Sequence, residues 1–232
     1  MPTSETHRYY PLLVGIFAAV LVVSNIIAVK LVQIFGLVLP AAVVLFPVAY
    51  ILGDVVTEVY GYAYARRMIW TGFGANLLAV VAIWLGGLLP PAPFWDAGLG
   101  SVEAAQHAYQ AILGFTPRLL AASFAAYLVG EFLNAYIMAK LKLRTQGRWL
   151  WLRTITSTIV GEGVDAATFM TLAFYGVIPT GGLLQAVLSQ WGVKVAYETL
   201  ATPLTYWVAN ALKRAEGLDA FDEHTDFSPL AF

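Results

Sequence analysis

Seven ionisable side chains, Asp54, Glu58, Glu131, Glu162, Asp165, Lys194 and Glu198, interrupt runs of sequence built mainly from aliphatic and aromatic residues. An ionised group near the centre of a lipid-facing helix costs roughly 2.5–3.5 kcal/mol on insertion scales. Such groups are kept only where they face one another, hold protons or line a wet cavity. Their spacing agrees with that. Asp54 and Glu58 stand four apart, as do Lys194 and Glu198, and Glu162 and Asp165 stand three apart, so each pair shares one helix face. Phe46 and Tyr50 continue the stripe of Asp54 and Glu58. Two carboxylates on one face repel, so one must be protonated or met by hydrogen-bond donors. A set of this kind suits the binding of a donor-rich small molecule. Asn25, Asn134 and Gln190 add amides at similar depth, and Tyr127, Phe169, Trp191 and Tyr197 add aromatic faces. The competing use of the same residues is structural ion pairing, and for Lys194 with Glu198 the two uses weigh equally.

The elements that position these groups follow from hydropathy. Six stretches, 9–32, 38–61, 68–89, 117–140, 154–177 and 183–212, are apolar over the length of about 20 residues that a helix needs to cross a bilayer. At about 1.5 Å per residue, Asp54 would sit roughly 10 Å from one end of its helix, Glu131 and Glu162 about 12–14 Å, and Glu198 roughly 20 Å. Four helices thus bring charge to one layer. Pro47, Pro203, Gly161 and Gly163 stand beside these groups. Interrupted helices at midplane point to a transport site. Kinking or close packing is the alternative, since Gly and Pro are common in membrane helices.

Composition supports a polytopic membrane protein. Of 232 residues, 59% are hydrophobic and 12% charged, against roughly 45–50% and about 25% in soluble domains. The mean hydropathy is +0.72. The first stretch is too long for a signal peptide and lacks a clear small-residue cleavage site, so it reads as a retained helix. Ten Lys and Arg residues (Arg8, Arg66, Arg67, Lys140, Lys142, Arg144, Arg148, Arg153, Lys213 and Arg214) fall on one side of an alternating six-span path; Lys30 and Arg118 fall on the other. By the positive-inside rule both termini are cytoplasmic. The loop from Pro90 is then external, and Val102, Ala105, Tyr109 and Ile112 within it recur at the spacing of a short interfacial helix. Residues 1–215 read as a single six-helix domain and 216–232 as a short acidic cytoplasmic tail, disordered on composition alone. The acid pairs of the second and fifth spans occupy the middle helix of each half, an arrangement that would suit inverted halves.

Several classes are excluded. A net charge of −1 leaves no footprint for nucleic acid. Zero cysteines exclude disulfides and thiolate metal sites. His7, His107 and His224 lie outside the spans, which removes a serine–histidine dyad and a histidine-ligated metal within the membrane. Asp54 and Asp165 could suggest an intramembrane protease, but Ile51-Leu52-Gly53-Asp54 lacks the first glycine of a Gly-x-Gly-Asp motif. The chain is expected to be no enzyme and to need no cofactor or metal.

The second span reads Phe46-Pro47-Val48-Ala49-Tyr50-Ile51-Leu52-Gly53-Asp54-Val55-Val56-Thr57-Glu58-Val59-Tyr60-Gly61, followed by Ala65-Arg66-Arg67. This resembles the signature of the queuosine precursor transporter family, within the vitamin uptake transporter group. Ser24-Asn25 with Lys30, Pro117-Arg118 with Ser123, Arg153 with Ser157, Gly161-Glu162 with Asp165 and Phe169, Lys194 with Glu198, and Thr202-Pro203-Leu204-Thr205-Tyr206 extend the likeness. So does the tail, from Phe221-Asp222 through Thr225-Asp226-Phe227 to Pro229. Glu131 departs from the pattern, where many relatives are expected to carry an amide. The resemblance implies uptake of a 7-deazaguanine across the inner membrane of a bacterium: the 7-cyano form, the 7-aminomethyl form or the free base queuine. It also implies a fold similar to the substrate-binding subunits of energy-coupling-factor importers, working without the ATPase. A binding subunit of an ATP-driven importer is the rival. The expected partners are the small molecule and membrane lipid, with homodimer formation left open. A carboxylate can accept the adjacent N1–H and N2–H of such a base in a bidentate bond. Asn25, Phe46, Tyr50, Asp54, Glu58, Glu131, Asn134, Glu162, Asp165, Gln190, Lys194 and Glu198 are the candidate contacts.

Overall fold

The computed structural model describes residues 7–34, 37–114, 117–177 and 179–231. The chain is all-helical apart from one hairpin. α1 (Tyr10–Ile27) leads into two antiparallel strands, β1 (Leu31–Ile34) and β2 (Leu37–Pro40), and a 3-10 turn over Ala41–Val44. Then come α2 (Phe46–Tyr60), α3 (Tyr62–Leu88), α4 (Val102–Leu113), α5 (Pro117–Thr145), α6 (Leu150–Phe174) and α7 (Thr180–Glu216). Among the described residues, three stretches are long and apolar enough to cross a membrane by length and composition: Tyr10–Ile27, Tyr62–Leu88 and a window within Val102–Thr145.

The first expected span stands as α1, shorter than expected, and the second is corrected. The first helix stops at Ile27, and the second expected span is mostly hairpin and 3-10 turn before α2 begins. At 15 residues, α2 is only about 22 Å long, short of a bilayer core. The hairpin pairs only its inner backbone groups, so its two outer edges need protein or water beside them. Pro47 does not break a helix. It sits in the first turn of α2, where a missing N–H costs nothing.

α2 is the central element. Every residue from Ile51 to Tyr60 is buried, and the helix touches α1, α3, α5 and α7. The glycines near Glu162 serve close packing, not interruption. A methyl group on Gly161 would lie 2.9 Å from Asn134 Cβ, and one on Gly130 would lie 2.7 Å from Asp165 Cβ. The two glycines let α5 and α6 approach backbone to backbone. Pro203 does lie inside the continuous α7. The expected short helix is α4, capped by the Ser101 hydroxyl accepting from Ala104 N at 3.1 Å. It packs on the far end of α3, where the Tyr109 hydroxyl donates to the Ile83 carbonyl.

The tail is ordered against the opposite, basal end of the bundle, contrary to the disorder that composition suggested. Its acidic groups find partners. Gly217, at φ +64°, turns the chain out of α7. Asp222 accepts two hydrogen bonds from Tyr62 N, at 3.1 and 3.0 Å, and so caps α3. Gly61, at φ +86°, leaves room for that carboxylate, which a Cβ would meet at 3.0 Å. Arg66 donates to the carbonyls of Asp226 and Ser228, and Trp70 to that of Pro229. Phe227 packs on the rings of Tyr62 and Tyr136. Glu216 takes Tyr9 N, Arg8 N and the Tyr60 hydroxyl.

Candidate functional site

The charged residues separate into two groups along α2. At the basal end, Glu58 is almost fully buried and ringed by cations. Arg153 of α6 lies 2.7 Å from Oε2; Lys213 of α7 and Lys142 of α5 lie 2.6 and 3.5 Å from Oε1. Lys142 also donates to the Glu58 carbonyl. Asp219 of the tail joins both lysines. Burial pushes the Asp219 carboxyl up, but hydrogen bonds and charge from Lys142 and Lys213 hold it below its usual value. Glu58 therefore has both oxygens occupied, and it clamps α2 to α5, α6 and α7.

One turn up the helix the balance reverses. Asp54 accepts from Asn134 Nδ2 at 3.1 Å, and its carboxyl group lies in hydrogen-bonding range of the Glu198 carboxyl. Two facing carboxyls at this spacing can share one proton, which satisfies one oxygen of each. Apart from that proton, Asp54 Oδ2 and both oxygens of Glu198 have no donor, and the same holds for Asn134 Oδ1 and Gln190 Oε1. Buried polar atoms nearly always have partners, so the orphans at Asp54, Asn134 and Glu198 mark a place where something else supplies them; Gln190 lies about 12 Å along α7 from Glu198. Lys194 lies 2.6 Å from Glu162 and also pairs with Asp165. Glu131 stands within electrostatic reach of Glu162, Asp165 and Lys194, and its Oε2 would lie 3.7 Å from a Cβ on Gly53. Tyr50 lies within reach of the same groups, with the Phe46 ring 6.2 Å from its own.

Of the residues singled out in the sequence, Tyr50, Asp54, Glu131, Asn134, Glu162, Asp165, Lys194 and Glu198 are drawn together, with Phe46 beside Tyr50. Gln190 stands one turn before Lys194 on α7, its amide oxygen buried and unmet. Asn25 is elsewhere engaged: it donates to Asn76 of α3 at 2.7 Å. Glu58 belongs to the basal clamp. Two pairings expected from helical spacing are corrected. Glu58 and Asp54 share a face but not an environment. Lys194 takes its counter-ions from α6, and Glu198 faces Asp54. Offsets of four fix direction around the axis but separate the groups by about 6 Å along it, enough to give each a different neighbour. In the sequence Lys142, Arg153 and Lys213 enter as positive charges flanking the spans, Arg153 also as a match to the family pattern, and Asp219 only as part of the acidic tail. The available signal was that a buried Glu58 needs a cation, and these flank the same membrane edge.

The chain matches the model of the family described as "Putative vitamin uptake transporter" over residues 40–208. The chain belongs to this vitamin uptake transporter family. Among its relatives, a protein of Bacillus subtilis (strain 168) named "Probable queuosine precursor transporter" is 32% identical over 186 residues, 80% of this chain and 78% of that protein. A protein of Escherichia coli (strain K12) named "Queuosine precursor transporter" is 28% identical over 174 residues, 74% of this chain and 72% of that protein. No solved structure matches the chain. The matched segment contains both the carboxylate layer and Glu58.

Proposed function

We propose that this protein imports queuosine precursors across the cytoplasmic membrane, binding the 7-deazaguanine base in the layer formed by Asp54, Asn134, Glu131 and Glu198. The observation that carries the reading is the set of buried acceptor oxygens without donors. A guanine-type edge offers adjacent N–H donors, which one carboxylate of the Asp54 and Glu198 pair accepts as a fork. The amide oxygen of Asn134 takes a remaining donor. Tyr50 and Phe46 lie along the ring, and Lys194 with Glu162 and Asp165 forms the wall. Glu58 holds helices and does not touch the ligand, and Asn25 braces α1 on α3.

In this reading α1, the hairpin with α2, α3, α5, α6 and α7 make six crossings, with both termini in the cytoplasm as the Lys and Arg distribution requires. The names of the relatives support queuosine precursors as the cargo and do not favour an ATP-driven partner. The test is a bacterium unable to make these bases and lacking its own importer. Expression of the chain should restore queuosine in tRNA when a 7-deazaguanine precursor is supplied at low concentration. Absence of queuosine with the protein present in the membrane would refute the assignment.

A further inference from the structure

α3, α5 and the returning tail enclose a groove of about 540 Å³, walled by Trp70, Phe132, Tyr136, Phe227 and Pro229. It opens outward, since Val129 and Tyr136 on its rim are 47% and 40% exposed. The tail completes it. The Trp70 indole N–H donates to the Pro229 carbonyl at 2.8 Å, and the Phe227 ring lies 5.0 Å from that of Tyr62 and 5.4 Å from that of Tyr136. An occupant therefore meets aromatic and aliphatic carbon. Past Tyr136 a second hollow carries Lys140 and Arg144. The Lys140 ammonium lies 3.8 Å from the Phe227 ring centre and 5.7 Å from that of Tyr136, contacts that steady a cation and leave N–H donors open. Lys142, Arg153 and Lys213 are met by Glu58 or Asp219, whereas Lys140 and Arg144 have no ion pair among the described residues. Along α5, Val129 to Tyr136 covers roughly 10 Å, and Arg144 stands about 12 Å further on. The apolar part thus spans most of the hydrocarbon depth of one leaflet, about 15 Å, with both cations at its basal end.

We infer that this groove holds an anionic phospholipid of the cytoplasmic leaflet, with an acyl chain along Trp70, Phe132 and Tyr136 and the phosphate on Lys140 and Arg144. The inference rests on the bilayer placement in the import reading above and is independent of the cargo. Charge complementarity selects the occupant. Two unpaired cations at the cytoplasmic end of an apolar groove suit an anionic headgroup, and each hydrogen bond to its phosphate is charge-assisted. A zwitterionic lipid brings a cation of its own to the same place. A second copy fits less well, because a two-fold contact through this face sets Lys140 and Arg144 against the same pair on its partner. A free phosphate has the cations to bind but no use for the groove.

The test is binding of labelled phosphatidylglycerol and phosphatidylcholine, with identical acyl chains, to the purified full chain in a non-ionic detergent. Phosphatidylglycerol should bind roughly tenfold or more tightly, the size expected of two cations near a headgroup. Lys140→Gln with Arg144→Gln should bring the two lipids level. Val129→Trp, which fills the rim and keeps both cations, should weaken phosphatidylglycerol as well. Glycerophosphoglycerol, the same headgroup without chains, should not displace the lipid. Equal binding of the two lipids by the wild type overturns the inference, as does a preference that survives loss of both cations or the filled rim. Displacement by glycerophosphoglycerol would make this a site for a free anion, and a dimer that excludes the lipid would give the face to a second copy; either result also overturns it. A chain that keeps the lipid preference but moves no deazaguanine sinks the import reading alone.

Discussion

Lys194 of α7 lies 2.6 Å from Glu162 of α6 and also pairs with Asp165 there, while Glu198, one turn along α7, faces Asp54 of α2. The lysine therefore fastens α7 to α6, and the acid beside it is released to the central helix. This division separates a compensated wall from an uncompensated pair, and each half has its own consequence.

Lys194→Met should strand two carboxylates on α6. Removing one partner of a buried ion pair costs roughly 3–5 kcal/mol. The variant should lose most uptake and melt at lower temperature in detergent. Adding Glu162→Gln should recover part of the stability, whereas adding Glu198→Gln should not, because Glu198 is not the partner. Thermal melts of the three variants decide it; recovery by Glu198→Gln alone would place the counter-ion on the wrong helix.

Glu58→Gln should act on stability more than on ligand preference. It removes the anion that Arg153, Lys142 and Lys213 share; Asp219 still meets the two lysines, but the buried Arg153 loses its counter-ion, at a cost of roughly 3–5 kcal/mol. Detergent-solubilised protein should melt earlier, and the ratio of 7-aminomethyl to 7-cyano uptake should stay as in the wild type. A changed ratio with an unchanged melt would return Glu58 to the ligand.

The visible and hidden parts of this architecture have physical causes. Bands of apolar residues announce α3, α5, α6 and α7, because crossing length and hydropathy are one-dimensional properties. Val38 to Val44 is as apolar as any of them, and hydropathy does not distinguish a strand or 3-10 turn from a helix; the hairpin was hidden for that reason. The charged layer was visible, since charges that costly must converge. Its pairing was not, because Lys194 and Glu58 choose partners by interhelical distance. The order of the tail is invisible to composition, which counts its acids without seeing that Tyr62 N, Lys142 and Lys213 receive them.

The tail should be a measurable stabiliser. Asp222→Ala removes the acceptor for Tyr62 N at the start of α3, a loss of about 1 kcal/mol by analogy with helix caps. Limited proteolysis should cut the variant near residue 220 sooner than the wild type. Identical cleavage kinetics would show that the carboxylate does not hold the strap.

Acid should loosen the same strap. Asp219 has its carboxyl held below the usual value by Lys142 and Lys213 in the folded chain. Its contribution is therefore present above the ordinary Asp value of about 4 and is lost as pH falls through the lower folded value. Tail protection, followed by hydrogen exchange, should be flat at neutral pH and fall below about pH 4. Asp219→Asn should remove that fall; a fall that persists would assign it to another acid.

The most direct measurement is transport of labelled 7-aminomethyl-7-deazaguanine into proteoliposomes holding the purified chain, wild type beside Asp54→Asn. Asp54 is buried, keeps one oxygen without a donor and faces the equally unmet Glu198. The wild type should accumulate label above empty vesicles, and the variant, folded and inserted to the same level, should not. Accumulation by the variant at the wild-type rate would contradict a ligand site in this layer.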